Sequence, residues 1–358
     1  MSTVTMSPVV SGSDVVFIVE DAAGDLSGVN LYQEVQRPRI GPAFTQVLGA
    51  KSWRLRLARP KVDRMEYMLE LAHKEGSRQL TSDPGNPLLA PGAFGDKSVV
   101  EWPEYQPPPW LEGEFDDPGS IAGDSIDCHP LGTSLPVLLW SSQGAADGQP
   151  LPLLVAHDGH QYSEFSKLLM LLDRRTSEGA LPPMRAALIG PVDRNEIYSA
   201  SAIYGRVLAH QILPWLSRYA PTPHGRRFRV GMGASLGGLA MLHVHRTYPA
   251  SFGALFLQSG SFFRQRFDKH EHDFPRFRRI SRFVGRVLTA EEWSHPVPVT
   301  MTCGTIEENL ANNRAVHDAL AAQGYDVRLL VNRDGHNWVS WRDTFDPHLV
   351  ELLQRTWS

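Results

Sequence analysis

Cysteine is almost absent. The 358 residues include only Cys128 and Cys303, too few for the disulfide framework that small secreted domains use to compensate for a thin core. Both read as reduced, structural thiols. No run approaches the roughly 18 apolar residues of a membrane span, and residues 1–14 contain neither Lys nor Arg. Neither a membrane anchor nor a secretory leader is therefore expected, and the implied location is the cytoplasm. Charge of one sign is also lacking: 35 basic against 39 acidic side chains leave a formal net charge of −4, which excludes a basic nucleic-acid binder and an acidic disordered chain. Walker and G-x-G-x-x-G sequences are missing, so no nucleotide cofactor is implied. The run His270-Glu271-His272-Asp273 lacks H-E-x-x-H spacing and reads as a solvated loop, so no metal is expected.

What is present is an ordinary globular composition, 42% hydrophobic, long enough for two domains. The first hundred residues hold short runs of alternating polarity, such as Asp14-Val15-Val16-Phe17-Ile18-Val19-Glu20 and Ser52-Trp53-Arg54-Leu55-Arg56-Leu57. That period of two, broken by turn residues, predicts an antiparallel β-sandwich. A stretch ending in Gln106-Pro107-Pro108-Pro109-Trp110 is too rich in proline for a helix or a central strand and reads as a linker. The boundary is placed near 115, giving domains at 1–115 and 116–358. Beyond it, strands expected at 151–156, 184–189, 227–232, 252–257, 297–302 and 326–331 alternate with helices at 162–173, 203–219, 236–247 and 310–323. Alternation of this kind predicts an α/β fold: a mostly parallel sheet with helices on both faces, its chemistry at the carboxyl ends of the strands.

Gly233-Ala234-Ser235-Leu236-Gly237 is G-x-S-x-G between a predicted strand and a predicted helix, the setting of a nucleophile elbow. Small residues flank the serine because the turn is too tight for side chains, and the amide of Leu236 is one expected oxyanion donor. Serine alone is a poor nucleophile, so a base and an orienting acid are required. His336, in Asp334-Gly335-His336-Asn337-Trp338, follows the last predicted strand and is the best-placed base. The acid is expected after the strand at 297–302, where Glu307 and Glu308 both stand; Glu307 is preferred, although both carboxylates also suit the start of the following helix. A second oxyanion amide is expected at Gly159 or His160, after the strand at 151–156.

With these residues in place the chain resembles the enterochelin (enterobactin) esterase family of α/β-hydrolases. The resemblance is carried by Asp158-Gly159, Pro191-Val192-Asp193-Arg194-Asn195-Glu196, the elbow with Gly238, Gln258-Ser259-Gly260-Ser261, Cys303-Gly304-Thr305-Ile306-Glu307, and Gly335-His336-Asn337-Trp338 followed by Trp341-Arg342. Trp53, Tyr67, Asp83-Pro84 and Asn86-Pro87 resemble that family's immunoglobulin-like (E-set) domain. The chain departs from the family at Ile197, where an aromatic is more usual, and at Asn337, where Asp is frequent. The resemblance implies serine hydrolysis of carboxylic esters, with a ferric catecholate trilactone siderophore opened in the cytoplasm to release iron. It also implies Arg194 and Trp338 as substrate contacts.

Residues 264–286 contain eight basic and three acidic side chains. With Phe262, Phe263, Phe267, Phe274 and Phe277 they form an insertion, about 261–296, that reads as a basic cap suited to an anionic aromatic ligand; the other reading is a solvated helix with its apolar stripe on the core. The small-molecule partner expected is thus an ester, with no nucleic acid and no membrane. Esters of feruloyl or acetyl type, acyl transfer, or a non-catalytic hydrolase scaffold are the alternatives.

Overall fold

A computed structural model describes residues 8–93, 95–113 and 119–357. The domain boundary expected near 115 lies outside these, as does the first half of the segment 1–14 in which no leader is expected. By contacts the chain divides into two compact units. One contains Met1–Pro107 with the loops Gly304–Glu307 and Asn332–Ser340; the other contains Pro108–Cys303, Glu308–Val331 and Trp341–Ser358.

The first unit is all-β, with strands β1 (Val9–Ser11), β2 (Asp14–Glu20), β3 (Leu26–Gln33), β4 (Ile40–Ala43), β5 (Thr45–Gln46), β6 (Ser52–Ala58), β7 (Arg64–His73), β8 (Arg78–Thr81), β9 (Leu89–Ala90) and β10 (Lys97–Glu101). They form a four-stranded sheet, β1-β2-β6-β5, and a second sheet, β4-β3-β7-β10-β9, with β8 paired to β7. The alternation seen in the sequence is the packing pattern. Val15, Phe17 and Val19 of β2, Leu55 of β6, and Met65, Tyr67 and Leu69 of β7 share one buried cluster. The residues between them, polar Arg54, Arg56 and Glu66 but also apolar Val16, Ile18 and Met68, are the more exposed ones. The Tyr67 hydroxyl donates to Asp83 Oδ2 at 2.7 Å and accepts from Asn86 Nδ2 at 3.1 Å. Those residues, picked out by resemblance, therefore form one buried hydrogen-bonded group.

The second unit is built on an eight-stranded sheet of β11 (Ser120–Cys128), β12 (Thr133–Ser141), β13 (Leu153–His157), β14 (Arg185–Ile189), β15 (Arg229–Ala234), β16 (Ala254–Gln258), β17 (Val299–Gly304) and β18 (Val327–Asn332), in the order β11-β12-β14-β13-β15-β16-β17-β18. Strands β14, β13, β15, β16 and β17 run parallel, while β11 and β12 form an antiparallel margin on β14. Every residue of β13, β14 and β16 is buried, as expected where helices cover both faces. These helices are α1 (Gly159–Ser166), α2 (Leu168–Ser177), α3 (Arg194–Ile197), α4 (Ala202–Val207), α5 (Leu213–Tyr219), α6 (Leu236–Thr247), α7 (Phe277–Thr289), α8 (Leu310–Ala322), α9 (Trp338–Arg342) and α10 (Val350–Trp357).

Two expected helices differ in detail. The one at 162–173 is two helices, broken where Lys167 adopts a left-handed conformation (φ 53°, ψ 34°). The one at 203–219 carries a wide π turn at Leu208–Ile212 between α4 and α5. In the insertion, α7 turns Phe277, Ile280, Phe283, Val284 and Val287 into the core. Phe262 is fully buried, and of the five phenylalanines only Phe267 is largely exposed, at 68%. The apolar stripe of this segment thus faces inward. Among the described residues, no helix is long and apolar enough to cross a membrane.

Candidate active site

Ser235 stands between β15 and α6 with φ 56° and ψ −121°. A non-glycine residue with positive φ costs about 1–3 kcal/mol and persists only where its surroundings impose it. Here they do. Its N–H donates to Gln258 O at 2.8 Å, and its carbonyl accepts from Ser261 N and Leu239 N, both at 3.1 Å. A Cβ on Gly233 would lie 2.5 Å from the Gly237 carbonyl carbon, and one on Gly238 would lie 3.0 Å from Gly233 O, so the glycines permit the close return of the chain. Strain directs the serine hydroxyl away from the strand; Oγ lies 3.0 Å from Ser261 Oγ. Ser235 makes no side-chain cap on α6, so the amide of Leu236 opens the positive end of a twelve-residue helix.

Beside β15, strand β13 ends in His157 and leads through Asp158 (φ 51°, ψ 36°) into α1. A Cβ on Gly159 would lie 2.3 Å from Leu188 Cα, so glycine is what lets the start of α1 sit against β14. His160, the other candidate amide, is half-buried, and burial lowers its basicity. Arg194 grips Asp158 with two hydrogen bonds, Nε to Oδ1 at 2.9 Å and Nη2 to Oδ2 at 2.8 Å, and Nη2 lies 3.4 Å from Ala234 O, just before the serine. Burial opposes the charge on Arg194, but Asp158 outweighs it and raises the guanidinium pKa. No local pattern signals this clamp, nor the place of His157. That imidazole stacks on Tyr198 with ring centroids 4.3 Å apart. Nδ1 lies 3.0 Å from Gly237 O and Nε2 lies 2.7 Å from the Tyr204 hydroxyl. A carbonyl can only accept, so Nδ1 carries the proton and Nε2 accepts from tyrosine. Burial pushes His157 down to about 4, and it is neutral at physiological pH.

In the other unit, the loops that follow β17 and β18 carry Glu307 and His336. His336 Nδ1 lies 2.7 Å from Glu307 Oε2. The Glu307 side chain is only 1% exposed while that of His336 is 36% exposed. The second carboxylate oxygen, Oε1, accepts from Gly304 N at 2.6 Å. Both oxygens therefore act as acceptors, and the imidazole proton sits on Nδ1, leaving Nε2 as the basic nitrogen. Gly304 is required here, because a Cβ would lie 2.3 Å from Asp334 O. Glu308 turns the other way, is exposed, and pairs with His270 Nε2 at 3.0 Å. His270, Glu271 and Glu308 bring three possible ligand atoms within 4.8 Å of one another at the surface. Trp338, the first residue of α9, is partly exposed.

The Arg276 and Arg279 guanidiniums of the insertion are engaged with Glu196, the second at 2.6 Å, which ties the basic segment to α3.

The family described as "Putative esterase" matches residues 132–352. The iron(III) enterobactin esterase of Dickeya dadantii (strain 3937) is 29% identical over 201 residues, which are 53% of this chain and 45% of that protein. The match thus spans less than half of that relative. The iron(III) enterobactin esterase of Escherichia coli O6:H1 is 24% identical over 308 residues, 82% of this chain and 72% of that protein. In three dimensions the chain is similar to the enterobactin esterase of Shigella flexneri solved in the presence of enterobactin, with a TM-score of 0.77 at 19% identity, covering 96% of this chain and 93% of that one. That likeness establishes a β-rich domain followed by an α/β-hydrolase fold. With the family match extending over more than half of its length, the chain belongs to this esterase family.

Proposed function

We propose that the protein hydrolyses carboxylic esters through a covalent acyl-serine, with Ser235 as nucleophile, His336 as general base and acid, and Glu307 as the orienting carboxylate. The observation that carries this reading is the His336–Glu307 hydrogen bond, 2.7 Å long with the carboxylate buried, on the loops that follow β17 and β18. It fixes the tautomer in which Nε2 can take a proton. Ser235 Oγ attacks the ester carbon and its proton passes to His336 Nε2. The tetrahedral oxyanion accepts hydrogen bonds from the Leu236 amide and from one amide at Gly159 or His160. Collapse expels the alcohol, which takes the proton from the imidazolium. Water then attacks the acyl-enzyme, gives its proton to Nε2, and the departing Ser235 oxygen recovers it. Glu307 remains ionised throughout and stabilises the imidazolium. Arg194, fixed on Asp158 with about a third of its side chain exposed, and Trp338 are the proposed substrate contacts.

The proposed substrate is a ferric catecholate trilactone of the enterobactin type, in keeping with what the relatives are named for, and the ferric ion is that substrate's cargo. The same reading places the reaction in the cytoplasm, consistent with two buried cysteines that are not joined in a disulfide. The test is turnover of iron-loaded trilactone, hydroxycinnamate esters and p-nitrophenyl esters by wild type and Ser235→Ala. Trilactone turnover that is lost in Ser235→Ala supports the whole reading. Turnover of hydroxycinnamate esters alone replaces the substrate, and undiminished hydrolysis by Ser235→Ala removes the mechanism.

A further inference from the structure

Residues far from the elbow in sequence surround the candidate base. Arg64 lies on β7 and is almost wholly buried. Its Nη1 donates to Asn337 Oδ1 at 3.3 Å and lies 3.6 Å from Asp334 Oδ2, while its Nη2 pairs with Glu66 at 2.9 Å. Asp334 and Asn337 bracket His336, and they are bonded to each other: Asp334 Oδ1 accepts from Gly335 N at 2.6 Å and from Asn337 Nδ2 at 2.9 Å. Asn337 Oδ1 also accepts from Ser340 N at 2.8 Å, capping α9. One residue before the bracket, Arg333 forms an ion pair with Asp63, and the Asp63 amide donates to Arg333 O at 2.8 Å. The turn that carries His336 is therefore held from β7 by a buried guanidinium at two points and by Asp63 at a third.

We infer that Arg64 is a positioning residue: through Asp334 and Asn337 it sets the orientation of His336 toward its proton transfer, which gives the β-rich N-terminal segment a direct part in the rate. The inference rests on the proposed role of His336. The physical reason is geometric. A planar guanidinium held on Glu66 has little freedom, and it grips the residues on either side of the imidazole, so the ring inherits its placement from β7. Displacement of a general base by about 1 Å can cost about 100-fold in rate. Arg64 acts on the imidazole through Asp334 and Asn337, the neighbours it holds. Its loss should therefore lower kcat and leave KM nearly unchanged.

The test uses the full chain with Arg64→Met, Asn337→Ser and His336→Gln. Arg64→Met leaves Asp334 buried without its cation, while Glu66 keeps Lys97 at 3.6 Å, and can unfold the protein. Asn337→Ser keeps a capping oxygen for α9 while withdrawing the reach to Arg64, so it decides the question if Arg64→Met does not fold. Folding is checked by circular dichroism and thermal melting, and the His336 Nδ1 proton is followed as a downfield NMR resonance. The expected result in the folded variants is a fall in kcat of about 10- to 100-fold, KM within about twofold of wild type, and a broadened or lost Nδ1 resonance. A folded variant with kcat within about twofold of wild type and the resonance intact overturns the inference, and so does a rise in KM that accounts for the whole loss. If His336→Gln retains wild-type turnover, the assignment of the base fails instead, and the two failures are told apart by that variant.

Discussion

Replacing Glu307 by Gln exchanges one carboxylate oxygen for an amide nitrogen, and the two hydrogen bonds of the native side chain set the consequence. In the native loop Oε1 accepts from Gly304 N at 2.6 Å and Oε2 accepts from His336 Nδ1 at 2.7 Å. A glutamine offers one acceptor and one donor. The Gly304 amide is a fixed donor, so the new carbonyl oxygen must face it, and the new NH₂ must face Nδ1. Nδ1 then becomes an acceptor and the imidazole proton moves to Nε2, where it blocks transfer from Ser235. Forcing a catalytic imidazole into the wrong tautomer costs about 10⁴ in kcat, which is about 5.5 kcal/mol of transition-state stabilisation. The assay is steady-state hydrolysis of a p-nitrophenyl ester at about pH 7–8, with thermal melting to show that the fold is retained. KM should be little affected, because Glu307 is buried behind the histidine. A loss of less than about tenfold in a folded variant would refute the reasoning, since a wrong tautomer costs far more.

The same geometry bears on other positions. Glu308→Ala removes only a surface pair with His270 and should change stability by less than about 0.5 kcal/mol and kcat by less than about twofold, in contrast to its neighbour. Gly233→Ala drives a methyl group to 2.5 Å from backbone at Gly237; urea unfolding should show a loss of about 1–3 kcal/mol or more, with activity abolished. Burial holds His157 and His243 down at about 4 and His245 at about 3. The unfolded chain binds more protons than the folded one between those values and about 6.5, so the unfolding free energy from urea titration should fall as pH drops through that window, by up to about 3 kcal/mol for His157 or His243 and about 5 kcal/mol for His245. Burial works the other way on Asp334, pushing it up to about 7. Its contribution is full below about pH 4 and lost as pH rises through about 7, and Asp334→Asn should flatten that limb.

Much of this was legible in the sequence because the relevant signals are local. The two-residue period of Trp53-Arg54-Leu55-Arg56-Leu57 is itself the burial pattern of β6, and a glycine-flanked serine between a strand and a helix encodes its own tight turn. The choice between Glu307 and Glu308 was not legible. Adjacent carboxylates are chemically identical, and only the direction of the loop after Gly304 sends one to His336 and the other to His270. The break at Lys167 was hidden because a left-handed residue need not be glycine and leaves no trace in an apolar pattern. Strand β11 was missed because most of its residues are exposed, which removes the alternation that marks a half-buried strand. The clamp of Arg64 on Asp334 and Asn337 joins residues about 270 positions apart, and a buried arginine announces itself only once its carboxylates are found.

The central claim is that Ser235 is an activated nucleophile, and covalent labelling with a fluorophosphonate tests it most directly. With the modified peptide mapped by mass spectrometry, a single label is predicted on Ser235, absent from Ser235→Ala and strongly slowed in His336→Gln. A label on another residue, or no label on a preparation that still hydrolyses esters, would contradict it.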